Sequence, residues 1–288
     1  MNTTKKFLKM YACALCAGFM ILASGARPAG ALDFNGDWLG EKPGWAPDVS
    51  VKSAFLTKYI WRGQNLGDAP VMQNDYSLSK YGLTFDLWTN YSFNNDKSKD
   101  AGRYEEFTEV DYALDYTFNA AKTYERLGGT GAEFLAPVNF SFGYTYYTFP
   151  ILPRDNKYAD SHEVYSGCSL DVLLKPFVKW YWDVDSGKGA AGYGSGDGSY
   201  FLAGIGHSFD LGSNVALNLG MTAAYNDQQW TQNRGWSDMV FSGDITVPVL
   251  KYFTIKPNVS YSLLLDRDVY NHTQSNEFYG GVTIGFAY

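Results

Sequence analysis

The last eleven residues, Phe278 to Tyr288, alternate apolar with small or polar side chains and stop on an aromatic. With a period of two, Phe278, Val282, Ile284, Phe286 and Tyr288 share one face, while Glu277, Gly281, Thr283, Gly285 and Ala287 share the other. One face suits hydrocarbon and the other a polar interior. The same alternation recurs in twelve segments, at about 49–62, 70–79, 82–93, 104–118, 137–149, 162–173, 176–185, 199–210, 214–226, 236–248, 252–265 and 276–288. Each is near the roughly 9 to 11 residues that a tilted membrane strand requires.

The connections alternate in length. Ser79-Lys80-Tyr81, Leu174-Lys175, Leu211-Gly212-Ser213 and Val249-Leu250-Lys251 read as tight turns, whereas 63–69, 94–103, 150–161, 186–198, 227–235 and 266–275 read as longer polar loops. Short turns at one rim and long loops at the other predict an all-β fold, a transmembrane antiparallel up-and-down β-barrel of about 12 strands. Both chain ends then fall at the short-turn, periplasmic rim. Residues 119–136 interrupt the rule, and Ala120 to Leu127 reads either as a short amphipathic helix ended by Gly128-Gly129 or as an irregular insertion.

Alternation also assigns the faces. In the third segment Leu83, Phe85, Leu87, Tyr91 and Phe93 point out, and Thr84, Asp86, Trp88, Asn90 and Ser92 point in. The same reading puts Lys52, Lys58, Arg62, Asp75, Asp86, Glu109, Asp111, Asp115, Glu163, Asp171, Lys179, Asp183, Asp238, Asp244 and Lys256 in the lumen, with Arg62 near the outer end of the first strand. A Lys or Arg facing lipid near the midplane costs roughly 2–4 kcal/mol, which favours this register. Twelve strands tilted near 40° enclose a backbone cylinder roughly 24 Å across, leaving on the order of 10 Å once inward side chains are subtracted. An acid-rich wall concentrates cations, so the expected activity is passive diffusion of ions and small polar solutes with a cation preference.

The N-terminus points to export. Lys5, Lys6 and Lys9 precede an apolar run from Met10 to about Ala23, and Ala29-Gly30-Ala31 offers small residues where a signal peptidase cuts. Residues 1–31 therefore read as a signal peptide, 32–48 as an N-terminal periplasmic segment and 49–288 as the barrel. Without the signal, 19 Lys+Arg face 30 Asp+Glu, a net charge of −11. Such a chain has no means of neutralising phosphates, which excludes nucleic acid as a partner. Cys13 and Cys16 leave with the signal, so Cys168 stands alone in an outward register and no intramolecular disulfide forms.

Aromatic residues make up 17% of the chain while its mean hydropathy is −0.26, which fits two aromatic girdles without any apolar helix. The expected partners are outer-membrane lipid, the barrel assembly machinery, for which Phe286 and Tyr288 form the C-terminal signal, and small solutes or ions.

Thr57-Lys58-Tyr59-Ile60-Trp61-Arg62-Gly63 followed by Asp68-Ala69-Pro70-Val71-Met72-Gln73 resembles the opening signature of the TorF-type porin family, which carries a Gcw_chp domain. Glu109-Val110-Asp111-Tyr112, Gly143 to Pro150 and His162 to Gly167 continue the likeness in order. The resemblance implies an outer-membrane pore. Lys58 stands where that family usually has an acid, and the 119–136 insertion is a second departure. Gly36-Asp37-Trp38-Leu39-Gly40 is similar to the N-terminal signature of carbohydrate-selective porins and reads as a tether at the periplasmic mouth.

Two other classes compete. A barrel phospholipase or acyltransferase needs a serine activated by a histidine at hydrogen-bond distance on one face. The chain has His162, His207 and His272, and alternation sends Ser208 to the face opposite His207. No catalytic residue, metal cluster or cofactor fingerprint is expected. The second class is a structural or adhesion barrel with a closed lumen.

Overall fold

The structure is a computed structural model that describes residues 42–93, 106–150, 160–184 and 198–288. The expected signal peptide and residues 32–41 of the expected 32–48 segment lie outside these residues. The chain divides into two compact units, Met1–Ala46 with Leu250–Tyr252, and Pro47–Val249 with Phe253–Tyr288. In the first, Ala46 N donates to Pro43 O at 2.9 Å and closes a turn. The second is the barrel.

Its strands are β1 (Asp48–Leu56), β2 (Tyr59–Trp61), β3 (Gln64–Gly67), β4 (Val71–Lys80), β5 (Leu83–Ser92), β6 (Glu106–Asn119) and β7 (Val138–Thr148), then β8 (Ser161–Leu170), β9 (Phe177–Asp183), β10 (Ser199–Gly212), β11 (Val215–Asp227), β12 (Arg234–Leu250), β13 (Phe253–Leu264) and β14 (Glu277–Ala287). Twelve of them close in the order β1-β14-β13-β12-β11-β10-β9-β8-β7-β6-β5-β4, and β2 pairs only with β3. Closure is antiparallel, with Val51 opposite Tyr76 on one side and Phe286 on the other. Tyr288 completes the seam, exchanging both backbone hydrogen bonds with Val49 at 2.8 Å. A closed barrel leaves no unpaired edge.

The outer surface is apolar. Phe55, Phe85, Leu114, Phe142, Val178, Leu219, Phe241, Ile245, Ile255 and Ile284 are all exposed, on strands distributed around the ring. Aromatic groups cluster towards both ends of the strands. Trp180, Trp182, Phe201, Tyr225 and Trp236 lie in successive ring contact near the long-loop rim, and Tyr116, Phe118, Phe140 and Phe142 near the short-turn rim.

Ala120–Arg126 forms helix α1, capped by Asn119, whose side chain accepts from Lys122 N. Gly128 follows with φ +88°, as expected for the glycine after a helix end. The helical reading of the insertion holds, with a short 3-10 turn at Glu133–Leu135 before β7.

Two segment boundaries differ from the expected ones by more than two residues. The sixth strand ends at Leu170 rather than 173, because the connection to β9 needs two left-handed residues, Leu174 (φ +65°) and Lys175 (φ +40°), and Pro176 has no N–H to offer a ladder. Asp171 consequently sits exposed at the rim, its N–H donating to Pro137 O, and does not line the lumen. The first strand ends at Leu56 rather than 62, and the chain beyond Leu56 shapes the interior.

Candidate functional site

Residues 59–67 fold into a second hairpin. Trp61 pairs with Gln64 across a two-residue turn made by Arg62 (φ +48°) and Gly63 (φ +75°). Positive φ at both central positions is what a tight type I′ hairpin demands. Gly63 is also required for space, since a Cβ there would meet Tyr270 Oη at 2.5 Å and Asp238 Cβ at 2.9 Å.

The hairpin leaves the wall at β1 and crosses the bore. In the barrel order β8 and β9 lie diametrically opposite β1, and it is there that the Arg62 guanidinium docks. Glu163 of β8 accepts from both of its terminal nitrogens, at 2.7 Å from Nη1 and 2.9 Å from Nη2. Gln229, on the connection after β11, accepts a further bond from Nη1 and donates to Glu163 at 2.6 Å. Tyr147 of β7 donates to Glu163 at 3.0 Å. Three rings enclose the cation, with Cζ at 4.4 Å from Tyr181, 4.5 Å from Trp61 and 4.7 Å from Tyr200. The Arg62 and Glu163 side chains are 9% and 2% exposed. A bidentate guanidinium–carboxylate pair under aromatic cover is the strongest form such a contact takes.

Further contacts hold the hairpin along its length. Tyr59 donates to Glu109 of β6 at 2.8 Å and its ring lies 5.8 Å from that of Trp88. Tyr270, from the loop between β13 and β14, donates to Arg62 O at 2.6 Å, while Tyr200 donates to Asp238 at 3.0 Å. At the base, Lys58 bridges Glu277 at 2.6 Å and Asp68 at 3.3 Å. Lys58, Tyr59 and Arg62 themselves lie on the connection between β1 and β4 rather than on barrel strands, and their protonation is set by their neighbours. The hydrogen bond to Glu277 raises the Lys58 ammonium above its ordinary value. Burial opposes the Arg62 charge, but Glu163 and the surrounding polar groups outweigh it and keep the guanidinium protonated. Burial, and then the Glu109 charge, pushes the Tyr59 hydroxyl up, so that it remains a donor.

The expected lumenal residues thus separate into two levels. Glu109, Asp111, Glu163, Asp183 and Asp238 are buried at the outer level around the hairpin. Ser161 donates to both oxygens of Asp183, and Asp111 Oδ1 and Gln64 Nε2 are buried with no hydrogen-bond partner. Towards the short-turn rim the charges lie in an open bore. Lys52 pairs with Asp75 at 3.3 Å with the two side chains 53% and 33% exposed, and Lys256 lies 3.7 Å from Asp244 with 39% and 24%. Asp86 and Asp115 share the same inner face, and the Lys179 ammonium sits 4.7 Å over the Tyr165 ring. Lys58 and Arg62 are corrected: neither belongs to the first strand, because the chain leaves the wall after Leu56 and turns inward.

The remaining reactive side chains point outward. His207 packs on Phe209, His162 stacks on Tyr146 at 4.6 Å and contacts Tyr144 Oη at 2.5 Å, and Cys168 is half-buried on the outer face. His272 bonds Asp268 in a loop at 2.7 Å. Sequence reasoning missed the hairpin and its aromatic receptors Tyr147, Tyr181, Tyr200 and Tyr270. Two signals were present. Arg62-Gly63 between short apolar and polar runs is a turn pattern, and Tyr181 shares the inward parity of Lys179 and Asp183 on β9.

No family model matches the chain, and no curated protein sequence does. Among solved structures, the NanC porin aligns with 83% of this chain and 98% of its own at 9% identity and a TM-score of 0.46. An outer membrane channel from Pseudomonas putida F1 aligns with 91% of this chain and 100% of its own at 10% identity and 0.46. The DcaP outer membrane channel of Acinetobacter baumannii aligns with 86% and 99% at 8% identity and 0.37. Identities of this size say nothing about the function of this chain.

Proposed function

We propose that the protein is an outer-membrane channel for ions and small polar solutes, with its bore narrowed at the outer level by the β2–β3 hairpin. The observation that carries this reading is the pair of partly exposed ion pairs inside a closed barrel, Lys52 with Asp75 and Lys256 with Asp244. A solid structural barrel would fill that level with packed side chains, whereas solvent-exposed charge there belongs to a wetted bore. The exposed apolar outer wall with aromatic clusters at both ends supports placement in a bilayer. The sequence resemblance to the TorF-type porins agrees with a pore.

A cation preference is the finer part of the proposal. At the outer level Glu109, Asp111, Glu163, Asp183, Asp238 and Glu277 face Arg62 and Lys58, and at the inner level Asp75, Asp86, Asp115 and Asp244 face Lys52, Lys179 and Lys256. Surplus carboxylate in a low-dielectric wall favours cations.

Single-channel recording in planar bilayers tests both parts. Wild-type protein gives small conductance steps, and replacing residues 58–69 by a short Gly-Ser linker enlarges them. A salt gradient gives a cation-selective reversal potential. A folded barrel that produces no steps in either form contradicts the channel, and an anion-selective potential contradicts the preference.

A further inference from the structure

We infer that the wall behind the hairpin is a receptor for guanidinium groups, occupied at rest by Arg62, and that guanidinium-bearing solutes are the class that competes with the hairpin tip for it. The inference rests on the channel reading above only for its consequence, the opening of the bore.

Consider the wall without the hairpin. Glu163 presents two carboxylate oxygens in the orientation that accepts two parallel N–H bonds, with Gln229 Oε1 beside them. The orientation is fixed from behind, since Tyr147 and Gln229 each donate to Glu163, and Asn226 holds Gln229 by two further bonds at 2.8 and 3.0 Å. The rings of Tyr181 and Tyr200 lie against the guanidinium carbon. These groups come from β7, β8, β9, β10 and the loop after β11, so the receptor belongs to the barrel and survives the hairpin's departure. Carboxylate fork, neutral acceptor and aromatic faces together fit a flat, delocalised cation and not a compact ammonium.

Energetics favour exchange over simple release. Withdrawing Arg62 leaves Glu163 without the guanidinium that balances its charge, an unfavourable loss even where water from the bore reaches the carboxylate. The hairpin tip is therefore released readily only when another cation replaces it. Because Arg62 is tethered nearby, its effective concentration is on the order of millimolar or above, so a free ligand competes poorly with the intact hairpin. Removing the tethered ligand exposes the receptor.

The test uses the full-length protein in detergent micelles, with the folded state verified by heat-modifiable mobility, and methylguanidinium as the probe in titration calorimetry. The R62A variant should bind methylguanidinium at least tenfold more tightly than wild type, and at least tenfold more tightly than it binds methylammonium. The double variant R62A/E163Q should lose that binding. If R62A does not assemble, Arg62→Gln keeps polar contacts at the tip and takes the same titration. A folded variant that binds neither ion, or both equally, overturns the receptor. In bilayers, methylguanidinium should lower the enlarged R62A conductance. Binding in micelles with no channel steps in any variant would leave the receptor standing and count against the channel reading alone.

Discussion

Replacing Glu163 by Gln isolates the contact on which the inward hairpin depends. Glutamine keeps the volume and one acceptor oxygen, so either Tyr147 or Gln229 keeps its acceptor but not both, since they donate to different oxygens of Glu163, and the charge facing Arg62 is gone. The Arg62 side chain is 9% exposed and then has no counterion in the cage. Breaking a buried pair by removing one partner typically costs about 3–5 kcal/mol. At about 1.4 kcal/mol per tenfold, the ratio of docked to released hairpin falls by roughly two to three and a half orders of magnitude. The barrel itself is untouched, because β8 is held by backbone pairing to β7 and β9. In planar bilayers the variant should show larger conductance steps or long-lived excursions to a larger step, and in hydrogen exchange the amides of residues 59–67 should lose protection while those of β8 keep theirs. The Arg62→Ala change made on top of E163Q should add little, since both remove one interaction. A correctly folded E163Q barrel with wild-type steps and wild-type protection at the hairpin would refute the latch.

Other consequences are equally direct. Gly63→Ala forces a side chain onto a backbone with φ +75° and into Tyr270 and Asp238, so the tip should be released with at least about 1 kcal/mol lost, read as the same enlarged conductance. Lysine at Leu219 or Ile284, both exposed on the outer face, should cost roughly 2–4 kcal/mol in a bilayer and hinder assembly far more than lysine at Asn218 or Thr283, as heat-modifiable mobility will report. Equal tolerance at the two sets would disprove the register. Deleting Phe286-Ala287-Tyr288 removes the pairs with Val51, Ser50 and Val49 and opens the seam, so the truncated chain should be absent from membranes in an immunoblot.

The barrel is legible in the sequence because its signal is repeated. Each strand places apolar residues such as Leu83 and Phe85 on one parity and polar ones such as Thr84 and Asp86 on the other, and hydrocarbon against polar interior enforces that parity twelve times over. Boundaries are lost where local chemistry outweighs alternation. Tyr59-Ile60-Trp61 continues an apolar pattern past Leu56, so it reads as more of the first strand. Its aromatic side chains instead pack in the bore, Tyr59 beside Trp88 and Trp61 beside Tyr147 and Trp230. Parity along a strand states which way a residue faces and nothing about what enters from the opposite wall. Hence it places Glu109 and Glu163 inside and is silent on their partners, separated from them by 50 and 101 residues. Asp171 shows the converse failure, since parity extrapolated past the last ladder residue names a face the chain no longer has.

The two ends of the hairpin are anchored by unlike physics, and this makes its response to salt diagnostic. At the base, Lys58 is 29% exposed and bridges Asp68, which is 79% exposed, and Glu277, which is 10% exposed, so salt screens the Asp68 contact strongly and the Glu277 contact only in part. At the tip, the Arg62–Glu163 pair is buried and salt reaches it hardly at all. Raising ionic strength from 0.1 to 1 M shortens the Debye length from about 10 Å to about 3 Å. If the tip is the latch and the base only a hinge, wild-type conductance should rise in proportion to bulk conductivity, with no new larger step. The E163Q channel, whose hairpin is held by the base, by the Tyr59–Glu109 and Tyr270–Arg62 hydrogen bonds and by aromatic contacts, should spend more time in its large step as salt rises. A supralinear rise with a new step in the wild type would move control from the buried tip to the exposed base.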